Sequence, residues 1–319
     1  MNIDMIRAAE RRAAGRIRRT PLLSAPGLDA VAGRRVLVKA ECLQHTGSFK
    51  ARGAWAAVSA LPPGTEGVLA FSSGNHAQGV AWAATAHGLP SVIVMPADAP
   101  AVKAEGTRSL GGEVVAYDRR TEDRDAIGRA VAGERGLAVI PPFDHPEVIA
   151  GQGTTGLEIA VEAREAGVER ADVLVCCGGG GLAAGIALAL EAEAPGLRVR
   201  TCEPRGLDDV ARSLAAGERR TNDPAATSVC DAILTPGPGA LTLPILLRLA
   251  GPGLAVTDAE ALDAMRLAFR HLRVVLEPGG AVSLAAALFH GHEVEGDAVI
   301  CVATGGNVDP HLFARAIAA

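Results

Sequence analysis

The decapeptide HTGSFKARGA (45–54) carries Lys50, the residue with the most chemistry to offer. Of the 31 cationic side chains only Lys39, Lys50 and Lys103 are lysines, and the other 28 (31 − 3) are arginines. A chain so biased keeps a lysine most readily where a guanidinium fails, and a Schiff base is one such place. Lysine can lose its proton and attack a carbonyl, whereas arginine stays protonated. The plainer reading is a surface lysine snorkelling at a helix start.

Three strand-ending loops add donors. In DVLVCCGGGGLAAGIALAL (172–190) an apolar run meets Gly178, Gly179, Gly180 and Gly181, then a helix. Glycines let backbone approach a phosphate, and the helix N-terminus supplies N–H groups and partial positive charge. Which phosphate stays open: Gly178, Gly180 and Ala183 also satisfy a dinucleotide spacing, and Glu203 closes the next strand where a ribose-binding acid belongs. A nicotinamide-dependent dehydrogenase is thus a rival, although it leaves Lys50 unexplained. After GVLAF come Ser72, Ser73, Gly74, Asn75 and His76, a turn suited to a carboxylate; an ordinary N-cap would also account for it. After AVICVA come Thr304, Gly305, Gly306 and Asn307.

These loops need strands to end on and helices to open. Apolar runs at 36–41, 67–71, 91–95, 113–117, 137–140, 172–177, 197–202 and 298–303 predict strands, with helical stretches between most of them. That alternation is the mark of an α/β fold with parallel sheets. The block 45–147, ending near Pro141-Pro142, is expected to form a small inserted domain, with 1–44 and 148–319 forming a larger cofactor-binding domain. A cleft between them, at the strands' C-terminal ends, would hold the ligand.

Composition narrows the partners. At 319 residues and 49% apolar content the chain can bury a large core, and ~150 residues per domain suggests two. A net charge of −5 gives no electrostatic reason to expect nucleic acid or an anionic membrane surface. Asp4 and Glu10 interrupt the arginine-rich N-terminus, which reads as an amphipathic helix and not a transit peptide. No apolar run approaches the ~20 residues of a membrane span. Cysteines 42, 176, 177, 202, 230 and 301 form no CxxC pair, so free buried thiols in a reducing cytoplasm are expected. His290 and His292 lack a third ligand nearby and read as an exposed loop.

KAECLQHTGSFKARGA, FSSGNHAQGVAWAA, VIAGQGTTGLEI, CGGGGLAAG, EPGGAV and ATGGN occur in the order of the pyridoxal-phosphate-dependent serine/threonine dehydratases and the closely similar serine racemases. The chain resembles that family from about Thr20 onward. The resemblance implies a two-domain pyridoxal-phosphate fold type II, tryptophan synthase β-like, with open, mostly parallel sheets. It makes Lys50 the Schiff-base lysine with Phe49 beside the ring, and gives the cofactor phosphate to Gly178, Gly179, Gly180 and Gly181. Asn75 would bond the ring hydroxyl and Thr304 the pyridine nitrogen. Ser72, Ser73, Asn75 and His76 would take the substrate carboxylate.

The same resemblance implies β-elimination: a small L-β-hydroxy amino acid, serine or threonine first, would yield a 2-oxo acid and ammonia. Ser73, on the substrate face opposite Lys50, would permit racemisation. An amino-acid racemase and a 3-hydroxyaspartate dehydratase are the alternatives. The sequence departs from the racemases at 234–244, LTPGPGALTLP, where serines are expected, and around Asp123 and Arg124, where a substrate-binding arginine belongs. Glu203, the Leu207 carbonyl and Asp209 match a magnesium, calcium or manganese site, and a homodimer is the expected assembly. No regulatory domain is expected beyond the TGGN helix. A cofactor-free binding protein on this fold is disfavoured by the intact Lys50.

Overall fold

The computed structural model describes residues 1–319 apart from Pro100, Ala319 and the side chain of Val102. Its strands are β1 (Leu22–Ser24), β2 (Arg35–Lys39), β3 (Val68–Phe71), β4 (Ser91–Pro96), β5 (Gly112–Tyr117), β6 (Ala138–Val139), β7 (Ala171–Cys176), β8 (Leu197–Pro204), β9 (Leu254–Val256) and β10 (Ala298–Val302). They form two sheets, β1-β2-β10-β7-β8-β9 and β5-β4-β3-β6. Among the described residues only strand β1 runs antiparallel to its neighbour. The smaller sheet is drawn wholly from residues 68–139 and the larger from either side of that stretch.

Parallel strands covered on both faces should read as near-continuous apolar runs, and these do. In the larger sheet Val36, Val38, Leu174, Val299 and Cys301 face helix Pro278–Phe289, while Val173, Val175, Ile300 and Val302 face helix Gly181–Glu193. The two unread strands, β1 and β9, are three-residue edges, too short to show periodicity. The N-terminal segment is a helix, Ile3–Ala13, burying Ile6 and Ala9. All six cysteines are free and buried, and among the described residues no helix is long and apolar enough to cross a membrane.

Helix Pro146–Glu165 joins the two halves. It lies so close to Gly181–Glu193 that a Cβ on Gly185 would stand 2.4 Å from the Ile149 carbonyl. Its polar edge anchors the helix Lys50–Val58: the buried Arg52 guanidinium bonds Glu41 and Glu158, both at 2.7 Å, and the fully buried Lys39 lies 2.7 Å from Glu158 and Glu162. Two cations against three carboxylates satisfy one another, with Lys39, Glu41 and Arg52 buried and Glu158 and Glu162 reaching toward the surface.

Candidate active site

The loops at the strands' C-terminal ends converge on one cavity of 250 Å³. Its wall includes Phe49, Lys50, Ser72, Ser73, Asn75, His76, Gly178, Gly179, Gly180, Gly181 and Thr304. Cofactor-phosphate, ring and substrate-carboxylate candidates therefore share one space. Glu203, Leu207 and Asp209 lie elsewhere, at the end of β8 and the start of helix Asp209–Ala216.

Lys50 is placed by backbone stapling. The Phe49 N–H donates to the Thr304 carbonyl at 3.1 Å and the Gly306 N–H to the Gly47 carbonyl at 2.9 Å, fixing the lysine loop to the end of β10. Thr46 and Gly47 make the required turn at φ 58° and 74°, a left-handed geometry that glycine takes without cost and threonine does not. Lys50 Nζ donates to the Pro142 carbonyl at 2.8 Å and stands 5.1 Å from the centre of the Phe49 ring. Enclosure away from water pushes its pKa down to about 8, against the opposing pull of Glu277, so a neutral, nucleophilic amine is accessible near physiological pH.

The glycine loop is held from behind. A Cβ at Gly179 would stand 2.3 Å from the Phe143 ring, Gly180 has φ 90°, and the Thr242 hydroxyl bonds the Gly179 carbonyl at 2.6 Å. Within the described residues no acceptor meets the N–H groups of Gly179, Gly180 and Gly181, although these residues are buried at a helix N-terminus. Such unclaimed donors fit a phosphate monoester. LTPGPGALTLP packs beneath this loop, with the Gly239 N–H on the Gly179 carbonyl at 3.1 Å and Asp144 capping Ala240 and Leu241.

On the facing wall, the Gly74 N–H donates to Ser72 Oγ at 3.1 Å, while Ser73 Oγ has no partner among the described residues. His76 Nε2 donates to the Ile140 carbonyl at 2.8 Å; burial, then Lys50, pushes its pKa down to about 3, so the ring stays neutral. Asn75 is gripped from both sides, donating to Glu277 at 2.6 Å and accepting from Asn307 at 2.7 Å. Thr304 is buried at the end of β10, beside the Cys176 thiol. It brings no charge to that wall.

Several participants escaped the sequence reading. Glu277 was visible only as the first letter of EPGGAV; burial pushes it up to about 7, with the Asn75 hydrogen bond opposing. The Pro142 carbonyl and Phe143 reach the site from a loop noted only for its prolines. Lys103 and Asp231 also line the cavity. Arg124 does not: it pairs with Asp125 and lies 5.4 Å above the Phe71 ring, itself part of the wall.

Glu203 does not serve a dinucleotide ribose. Its two oxygens accept the Val210 and Ala211 N–H groups at 2.9 and 2.7 Å. Asn222 bonds Asp209 Oδ1 and the Leu207 carbonyl, leaving the buried Asp209 Oδ2 unpartnered. Burial raises Asp209 to about 6, and burial with Asp209's repulsion raises Glu203 well above its ordinary range. Two buried carboxyl groups, one of them with an unclaimed oxygen, and a carbonyl fit a hard divalent cation. Among the described residues no cluster of three His, Cys, Asp or Glu side chains is gathered as a metal site. His290 instead lies 3.1 Å from Glu260.

The two sheets and the cavity between their loops define a pyridoxal-phosphate fold type II enzyme. The family model for pyridoxal-phosphate dependent enzymes matches residues 13–305. The chain belongs to this family. It is 42% identical over 313 residues to an L-threo-3-hydroxyaspartate ammonia-lyase of Pseudomonas sp, covering 98% of this chain and 96% of the relative. It is 38% identical over 315 residues to a serine racemase of Oryza sativa subsp. indica, covering 97% and 91%. The crystal structure of a threonine deaminase from T.th. superposes with a TM-score of 0.92 at 43% identity, over 97% of this chain and 99% of that one. The cofactor is therefore pyridoxal phosphate and not a nicotinamide dinucleotide.

Proposed function

We propose that the protein is an ammonia-lyase that removes water from small L-β-hydroxy amino acids, L-serine and L-threonine being the simplest, and releases a 2-oxo acid and ammonia. The observation that carries this reading is the Lys50 amine, its pKa about 8, set in one cavity with a serine turn and unclaimed glycine N–H donors. Gly178, Gly179, Gly180 and Gly181 would hold the cofactor phosphate, Asn75 the ring hydroxyl, Thr304 the ring nitrogen and Lys50 the carbonyl carbon. When bound, pyridoxal phosphate supplies an electron sink for breaking the bond between Cα and its hydrogen.

The protein's own part is positioning and proton movement. Ser72, Ser73 and the N–H groups opening helix Asn75–Ala86 receive the α-carboxylate, which orients Cα. Lys50, as the free amine, takes the α-proton. Neutral His76, bonded to Ile140, stiffens the turn without adding charge. Thr304 offers a hydroxyl where a carboxylate would add a counter-charge. In two halves, with 1–44 and 148–319 as the larger, carrying the glycine loop and Thr304, and 45–147 as the smaller, carrying Lys50 and the serine turn, closure of the cleft would exclude water; a homodimer is part of the proposal.

The unpartnered Ser73 hydroxyl supports a second reading, amino-acid racemisation, in which it would serve the face opposite Lys50. The deciding experiment follows 2-oxo acid and the configuration of remaining serine when cofactor-loaded protein meets L-serine and L-threonine. Rapid 2-oxo acid formation supports the lyase. D-serine formed faster than pyruvate replaces it with the racemase.

A further inference from the structure

The cavity wall carries a second lysine. Lys103, in the first turn of helix Ala101–Ser109 on the smaller sheet's side, reaches 2.7 Å to Asp231 Oδ2. Asp231 opens the short turn Asp231–Ile233 on the larger sheet's side. Both residues line the same space as Lys50 and the serine turn. Glu277 senses Asp231, Lys103 and Lys50 together, so the four charges face one volume.

Two features make this pair a receiver for a ligand. The side chains are 27% and 59% exposed, so water screens their attraction and the pair opens readily. Asp231 is also the only side-chain partner of Lys103 among the described residues, although an ammonium has three donors. An incoming carboxylate can replace Asp231 and keep the lysine's charge balanced. With Lys50 committed to the cofactor, Lys103 is the cation left on the wall for an anionic side chain. Serine or threonine would leave the pair closed.

We infer that Lys103, presented by Asp231, is a specificity-determining residue that binds the side-chain carboxylate of a β-hydroxy dicarboxylic amino acid, 3-hydroxyaspartate being the simplest. The inference rests on the ammonia-lyase reading of the same site. Arg124 is the rival cation, but it lies behind Phe71 and is engaged by Asp125.

The test compares cofactor-loaded wild type with Lys103→Gln, Asp231→Asn and Arg124→Gln. It measures kcat/KM on L-threo-3-hydroxyaspartate and L-serine, and the affinity for succinate, which spaces two carboxylates as aspartate does. Lys103→Gln should lose about 10- to 100-fold more on hydroxyaspartate than on serine and weaken succinate by at least about 10-fold. Asp231→Asn should keep or strengthen succinate binding. Equal losses on both substrates, unchanged succinate affinity, or the selective loss appearing with Arg124→Gln would overturn the assignment. Failure of the lyase reading is separate: wild type would then form no 2-oxo acid from either substrate, while succinate affinity would still report on Lys103. Thermal midpoints matching wild type exclude misfolding as the source of a loss.

Discussion

Asn75 Nδ2 lies 2.6 Å from Glu277 Oε1, tying the helix behind the serine turn to the helix that opens at Pro278. Burial raises Glu277 from 4.5 to about 7. Between those values only the folded chain holds the proton, so stability falls as pH rises through the window and the burial penalty is complete above it. Glu277→Gln keeps an acceptor for Asn75 and removes that penalty. Its stability relative to wild type, read from thermal midpoints, should therefore grow between pH 5 and pH 8 by about 3 kcal/mol at most. A difference independent of pH would show that Glu277 is not the titrating group.

Lys50→Ala should abolish 2-oxo acid formation with little change in folding, because alanine suits the helix and the lysine's burden is chemical. In the wild-type apoprotein, covalent capture of pyridoxal phosphate requires the neutral amine, so its rate should rise as pH increases through about 8. A pH-independent capture rate, or borohydride fixation at a different residue, would remove Lys50 from its assigned place.

Ser73→Ala should retain L-serine dehydration within about 10- to 100-fold, the loss coming from the substrate carboxylate. Exchange of the α-proton on the second face should vanish. Reactions in deuterated water, following pyruvate and the configuration of recovered serine, separate the two effects.

Arg52→Ala should destabilise the fold by about 3–5 kcal/mol, because it leaves Glu41 and part of Glu158 as uncompensated buried charge. Denaturant midpoints at constant m-value measure it. A loss below about 1 kcal/mol would mean that water reaches the cluster.

Magnesium or calcium should raise the thermal midpoint of wild type by neutralising Glu203 and Asp209, and Asp209→Asn should blunt the response. Equal responses in both proteins would locate the ion elsewhere.

The sequence disclosed most of the framework because β-branched runs such as SVIVM and DVLVC are buried on both faces and have no other use. β1 and β9 were hidden because three residues at a sheet edge carry no pattern. Within the site, Lys50 and the glycine loop were legible because each immediately adjoins a strand end or a helix start. Glu277, Phe143 and Lys103 were not, since each acts through a partner distant in the chain: Lys103 meets Asp231 across 128 positions and Asn75 meets Glu277 across 202. The rival dinucleotide role for Glu203 falls with the family match, and locally its oxygens accept from the helix that follows.

The scarcity of lysine has a practical result for anyone handling the protein. Lys39 is sealed in its ion cluster and Lys50 is enclosed except toward the cavity, which leaves Lys103 and the amino terminus for acylating reagents. A dye, crosslinker or coupling resin that acylates a side-chain amine would therefore react at the mouth of the active site, and a label placed there for convenience would act as an inhibitor.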